Sequence, residues 1–451
     1  MADVFARLAM LSEGWQHDVR ISINDGFISD VARHSKAQPG DSSVDTLLPA
    51  MPNLHSHTFQ RAMAGMTEQR SQNADSFWTW RDLMYRFVQY LTPEDVEAIA
   101  GFAFMEMQER GFGSCAEFHY IHHAAGGQPY ANISELAERV MSAANATGIG
   151  LTLLPVLYSY AGLSQRPLAE NQLRFKNTLE KFLKLRESTE KSLRRNLPAD
   201  ACIGVAPHSL RATSGEDLNR LSSLFRDQPF HIHVAEHEAD ENDSLQRPVE
   251  WLLNNCQVDP HWCLIHATHM TLAEVSHMAK SGAVAGLCPV TEANLGDGIF
   301  EAKNFIGKGG TFGIGTDSNI NISVTSELEM LEYSQRLRDR ERNVLSGGPG
   351  STGTSLFKKA LAGGSQALGR NCGSIAEGQL ADLVAINASN TQLMALNTNQ
   401  LLDGWIFASS RNLVTDLWSA GRHNVSQGRH IKREPIETAY RKTLNRLAAL
   451  L

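Results

Sequence analysis

The stretch Asn53-Leu54-His55-Ser56-His57 sets two histidines two residues apart at the end of an apolar run. Alternate side chains of a strand share a face, so both imidazoles can address one point, which is the beginning of a metal site. Alone, such a pair is more often a hydrogen-bonded couple. Three further residues change that balance. His233 closes Phe230-His231-Ile232-His233, His266 closes Cys263-Leu264-Ile265-His266, and Asp317 closes Gly313-Ile314-Gly315-Thr316-Asp317. Each stands at the end of a predicted strand, and the carboxyl ends of parallel strands are where barrels hold their chemistry. Three neutral imidazoles and one carboxylate suit Zn²⁺, with Fe²⁺ and Mn²⁺ as rivals. An ion held there lowers the pKa of a bound water from roughly 16 to about 7, so the expectation is a hydrolytic reaction at neutral pH.

The elements that must position these residues follow from texture. Between residues 47 and 368, short apolar runs alternate with longer helical stretches, which predicts a parallel sheet. The candidate strands are 47–54, 114–120, 150–157, 201–207, 230–235, 262–267, 283–288 and 311–315. Eight strands with helices between them fit a (β/α)8 TIM-like barrel better than an open doubly wound sheet. One helix is predicted over 93–110, opening on Thr92-Pro93-Glu94-Asp95. Segment 167–197 reads as a charged surface helix and 346–354 as a flexible Gly/Ser loop. The first fifty residues carry short alternating runs and a hairpin signal at Asn24-Asp25-Gly26, and similar texture returns at 380–386 and 414–421. The expected architecture is therefore a small β-sandwich domain built from both chain termini, residues 1–49 plus 370–451, around a hydrolase barrel at 50–369.

Composition sets the outer limits. The 451 residues include 41 Lys+Arg against 49 Asp+Glu, a formal charge of −8, so there is no basic field for nucleic acid or an anionic membrane. Six scattered cysteines without a CxxC pair fit reduced thiols in a cytoplasm. No signal peptide is read in the first fifteen residues, and no window approaches the ~18 apolar residues that span a bilayer. Gly310-Thr311-Phe312-Gly313-Ile314-Gly315 lacks nucleotide-loop spacing and is read as tight strand packing, so no nucleotide cofactor is expected.

The set HxH, HxxE, His and Asp on strands one, five, six and eight resembles the mononuclear deaminase branch of the amidohydrolase superfamily. Three stretches narrow the resemblance: Met51 to Ala62, Ala206-Pro207-His208-Ser209-Leu210-Arg211-Ala212, and Gly286-Leu287-Cys288 with Thr291-Glu292-Ala293-Asn294-Leu295-Gly296-Asp297-Gly298. They are similar to the formimidoylglutamate deiminases of histidine degradation. The similarity runs through nearly the whole chain, including Gly373-Ser374-Ile375-Ala376-Glu377-Gly378-Gln379-Leu380-Ala381-Asp382-Leu383-Val384.

That resemblance implies hydrolysis of N-formimidoyl-L-glutamate to N-formyl-L-glutamate and ammonia. It implies His55, His57, His233 and Asp317 as metal ligands, Asp317 also as the proton acceptor, His266 as a support for the nucleophile, and Glu236 as the proton donor to the leaving nitrogen. It further implies Gln60, Tyr120 and His208 in the substrate pocket, and favours a homodimer. A dicarboxylate needs cationic partners, for which Arg211, after strand four, and Arg81, in the loop after strand one, are the candidates. Trp78 and Trp80 either cover the site or pack the loop. Most of His119, His122, His123, His231, His237 and His269 are expected to be hydrogen-bonding scaffold. The alternatives are a deaminase of a heterocyclic amine such as guanine, and a metal-free binding protein on an enzyme-like barrel.

Overall fold

Both chain ends enter one eight-stranded sheet. Across it, in spatial order, run Phe27–Ala32, Gly14–Asn24, Val4–Leu11, Ser42–Pro49, Leu383–Ile386, Val414–Ser419, Arg422–Ser426 and Arg429–His430. The computed structural model describes residues 3–70, 77–237 and 247–450. All neighbouring strands are antiparallel except Val4–Leu11 with Ser42–Pro49. The predicted hairpin turn forms: Asn24 pairs with Phe27, and Asp25 and Gly26 take φ of 48° and 86°, as a two-residue turn with matching twist requires. A bridge between Phe27 and Leu380 ties one edge back to the segment leading into Leu383–Ile386. The sheet so folds into a small β-sandwich over a core that includes Val4, Val19, Ile21, Leu47, Leu383 and Trp418.

The barrel strands are Met51–Ser56, Phe112–His119, Gly150–Leu157, a fourth in two short pieces (Cys202–Ile203 and Ala206–Pro207), Phe230–Val234, Trp262–His266, Val284–Leu287 and Thr311–Ile314. All pair in parallel. Bridges Val205 to Phe230 and Ser56 to Asp317 join the fourth strand to the fifth and the eighth to the first, closing the (β/α)8 barrel. Their near-continuous burial is what a sheet covered by helices demands.

Four expectations shift. The run 47–54 is two strands: the amide of Ala50 donates to Asp382 (2.9 Å) in the terminal sheet, and that of Met51 to Gly111 (3.0 Å) in the barrel. Both pieces are apolar and buried, so composition carries no sign of the switch. Segment 167–197 is a 3₁₀ turn, Glu170–Phe175, followed by a helix, Leu179–Asn196, that begins only where Thr178 caps the Lys181 amide. The stretch 346–354 already enters a helix, Thr352–Leu368, capped by Ser351, whose Oγ accepts from the Thr354 amide at 2.9 Å. Arg81 lies on a helix, Phe77–Val88, not in a loop. No helix among the described residues is long and apolar enough to cross a membrane.

A buried charge cluster fastens the barrel to the terminal sheet. Asp200, just before strand four, accepts two bonds of 2.8 Å from Arg422 and is paired at 3.1 Å with Arg370, which also reaches Asp382 at 3.2 Å. Burial would raise the Asp200 carboxyl, but the Arg422 and Arg370 guanidinium groups hold it below the usual carboxylate range. A depressed folded-state pKa stabilises the fold above the unfolded value of about 3.9, and that contribution is lost as pH falls further. Asp200→Asn strips the cluster of one charge while Arg370 stays buried. It should cost about 3 kcal/mol at neutral pH by denaturant titration, with a gap to wild type that narrows below about pH 4.

Candidate active site

The site is built on the seam that closes the barrel. The carbonyl of His55 accepts from the amides of Thr316 and Asp317 (3.0 Å each), and the amide of His57 donates to the Asp317 carbonyl at 2.9 Å. Gly315 allows this approach, since a Cβ there would lie 2.8 to 2.9 Å from the backbone and Cβ of His55. Beneath the seam, the Asn53 amide donates to Thr316 Oγ1 (2.7 Å), and Thr316 donates in turn to Asn319 Oδ1 (2.6 Å). The Asn319 amide then reaches Ser56 Oγ and the carbonyls of His57 and Asp317, each at 3.1 Å. At the strand ends Ala235, His266, Ala267, Asp317 and Asn319 all adopt left-handed φ between 42° and 67° without being glycine. Such conformations cost of order 1 kcal/mol each and persist where surrounding bonds over-determine them, commonly at functional sites.

His55, His57, His233 and Asp317 each bring one donor atom into a group whose members lie within 4.8 Å of one another, all buried. Asp317 Oδ1 stands 3.3 Å from Nε2 of both His55 and His57, and Nε2 of His233 lies 3.1 Å from Nε2 of His55. The tautomers suit a cation. Nδ1–H of His57 donates to the Phe118 carbonyl and Nδ1–H of His233 to that of His208, both at 3.0 Å, which leaves the Nε2 lone pairs facing inward. Burial, first of all, holds the three imidazoles below the usual histidine range and therefore neutral, the form that ligates. Burial also raises the Asp317 carboxyl. Inward lone pairs beside a carboxylate, all on buried side chains, fit a divalent ion.

Glu236 lies beside this group. Its Oε1 is 3.5 Å from His266 Nε2, and its Oε2 is 3.4 Å from the Arg211 guanidinium. Burial opposes its charge, but His266, His237 and Arg211 together hold the carboxyl well below its ordinary value. His266 shows the reverse balance: against burial, Glu236, Glu292 and Asp317 push it up to about 10. Its Nδ1–H donates to Glu292 at 3.2 Å.

A cavity of about 470 Å³ opens on the donor group, sized for a small molecule. Its wall includes His57, His233, Glu236 and Asp317, and all five substrate-side candidates, Gln60, Arg81, Tyr120, His208 and Arg211. Gln60 donates to the Tyr120 hydroxyl at 3.1 Å. The Arg81 guanidinium stacks 4.3 Å above the Trp78 ring and 5.3 Å from that of Tyr85, so Trp78 takes part in the cavity wall together with Trp80. Burial and the nearby Arg211 charge keep His208 neutral. His55 and His266 lie behind the cavity wall.

Among the lining residues that escaped sequence reasoning are Tyr85, Tyr158 and Gln172, joined through Gln172 Nε2 to Tyr85 Oη at 3.0 Å and to Tyr158 Oη at 3.4 Å. Tyr158 directly follows the third barrel strand, a position that could have flagged it; the other two sit on helical turns with no chemical signature. Of the remaining rim histidines, His122, His123, His231 and His269 bind backbone carbonyls at 2.8 to 2.9 Å, as scaffold does.

Residues 46–422 match the amidohydrolase family, and residues 1–44 match the family described as formimidoylglutamate deiminase HutF, N-terminal domain. Formimidoylglutamate deiminase of Pseudomonas aeruginosa is 46% identical over 454 residues, covering 99% of this chain and 100% of that protein. The 8-oxoguanine deaminase of the same organism is 26% identical, covering 80% of each. A crystal structure of an amidohydrolase from Brucella melitensis superposes with a TM-score of 0.95 at 47% identity, covering 99% of this chain and 100% of that one. An adenosine deaminase from Xanthomonas campestris with bound zinc shares the fold, with a TM-score of 0.82 at 20% identity and coverage of 99% and 98%.

Proposed function

From its membership of the amidohydrolase family, in the group of the formimidoylglutamate deiminases, we propose that this chain hydrolyses N-formimidoyl-L-glutamate to N-formyl-L-glutamate and ammonia. The observation that carries the reading is the cavity, whose wall unites the histidine and aspartate donors with Arg81 and Arg211, a match for an amidine joined to a dicarboxylate. Aromatic amines such as guanine offer those arginines no carboxylate.

His55, His57, His233 and Asp317 would hold the divalent ion, for which we propose Zn²⁺ on the nitrogen-rich donor set. When bound, the ion would supply a water acidified from a pKa of roughly 16 to about 7. The remaining work belongs to side chains. Asp317, its carboxyl raised by burial, accepts the proton of the attacking water. His266, cationic between carboxylates, steadies the negative charge that this leaves on oxygen. Glu236, ionised at rest, takes up one of the two protons that the water loses and passes it to the amidine nitrogen, Asp317 returns the other, and as the carbon–nitrogen bond breaks ammonia departs and the carbonyl of the formyl group remains. Arg81 and Arg211 hold the substrate carboxylates, with Gln60, Tyr120 and His208 completing the pocket. We also propose a cytoplasmic homodimer, on the family resemblance and on six cysteines that stay free thiols.

Purified, zinc-loaded protein should release ammonia from N-formimidoyl-L-glutamate and none from guanine or 8-oxoguanine, measured with a coupled ammonia assay. Release from either purine with none from the amidine would overturn the reading in favour of a heterocycle deaminase.

A further inference from the structure

The short helix after the seventh strand, Pro289–Leu295, supports two imidazoles at once. Glu292 on that helix accepts from His266 Nδ1, as described above. Asp297, just past its C-cap Gly296, meets His237 Nδ1 at 3.0 Å. Nε2 of His237 is 3.5 Å from Glu236 Oε1, and this equals the separation of His266 Nε2 from the same oxygen. The Glu236 carboxylate is thus flanked on one oxygen by two imidazoles, one backed by Glu292 of that helix and the other by Asp297 just beyond it, and on the other oxygen by Arg211. Asp297 is itself fixed: its amide donates to the Glu292 carbonyl at 2.9 Å, and its carbonyl accepts from His269 Nε2 at 2.8 Å. His237 and Asp297 are both buried.

We infer that His237 and Asp297 form a positioning pair for Glu236, in which Asp297 orients the His237 imidazole and His237 fixes Oε1 of the Glu236 carboxylate toward the cavity. This rests on the deiminase reading, since Glu236 has a proton to move only if that chemistry occurs. The charges agree with the geometry. Against burial, Glu236 and Asp297 push His237 up to about 9, and burial raises Asp297 to about 6, so both remain charged between those values. Among the described residues, the charged groups facing Glu236 are His237 beside it in sequence, His266 from strand six, Arg211 from the turn after strand four, Asp317 from the end of strand eight and Asp297 from the segment after strand seven. His237 reaches the reaction through Glu236, and its ring also meets that of Trp78 in the cavity wall, 6.3 Å between centroids.

The test uses the full-length, metal-loaded protein and three variants: His237→Ala, His237→Gln and Asp297→Asn. His237→Ala should lower kcat about 10- to 100-fold, the range typical of lost supporting contacts, with KM for N-formimidoyl-L-glutamate within about twofold. Metal per subunit should be unchanged, while Tm falls because the buried Asp297 carboxylate loses its partner. Removing a cation raises the Glu236 pKa, so the acid limb of kcat/KM should move up by about one pH unit. His237→Gln, which keeps a polar side chain beside Oε1, should recover part of kcat, and Asp297→Asn should show a milder form of the alanine phenotype. Wild-type kcat with an unmoved acid limb in His237→Ala and Asp297→Asn would overturn the inference, as would a loss of kcat that tracks a loss of metal. If the alanine variant does not fold, the other two decide. Failure of wild type to act on the amidine would instead remove the parent reading and leave the pair without a task.

Discussion

Replacing His55 by alanine is expected to abolish ammonia release and metal retention together. The side chain is fully buried, its Nε2 faces Asp317 and His233 at 3.3 and 3.1 Å, and three of the four donors do not close the group without it. Unassisted water has a pKa near 16 rather than about 7, so the rate should fall by at least about 10³-fold. Metal analysis of the purified variant should give well under one equivalent per subunit. An ion that binds only the folded state stabilises it by about 4 kcal/mol at a thousandfold excess over Kd, so the Tm of wild type should respond to added zinc and that of the variant should not. A variant that keeps both its metal and its turnover would remove the four-residue group from the chemistry.

Glu236→Gln carries the second large effect and a different signature. Gln keeps the volume and a hydrogen-bonding oxygen near His266 and Arg211, but cannot take up and return a proton. A positioned acid–base group contributes about 10² to 10⁴ in rate, and kcat should drop by that amount with metal content intact. The contrast with His55→Ala separates the proton carrier from the metal ligands. Because the variant replaces an anion held among His266, His237 and Arg211 with a neutral amide, affinity for a dicarboxylate should persist or improve while turnover is lost.

Much of this architecture is legible before any coordinates. The barrel strands announce themselves because each is a short apolar run buried on both faces, and the site residues announce themselves because they sit at or just past the carboxyl ends of those runs. His55, His57, His233, His266 and Asp317 are all of that kind. What stays hidden is whatever depends on pairing. Residues 47–54 form one apolar run by composition, yet Ala50 and Met51 send successive amides to different sheets. The turn and helix within 167–197 are separated by a cap at Thr178 that a charged, helix-compatible sequence does not advertise. Tyr85 and Gln172 reach the cavity only because a helix and a 3₁₀ turn happen to pack beside it. Asp297 stands in a stretch that supports the resemblance, but its partner His237 lies sixty residues upstream and only the fold brings the two together.

The seam between the first and last barrel strands has a consequence for how the protein matures. Two donors, His55 and His57, come from the start of the barrel and one, Asp317, from its end, and they meet only through the backbone bonds that join strand eight to strand one. Contacts so distant along the chain form late, after most loop-closure entropy has been spent. A nascent or partly folded chain therefore holds at most a fraction of the ligand set, and tight ion capture coincides with completion of the barrel. An ion held by these residues would therefore find its full ligand set only in a chain whose barrel has closed.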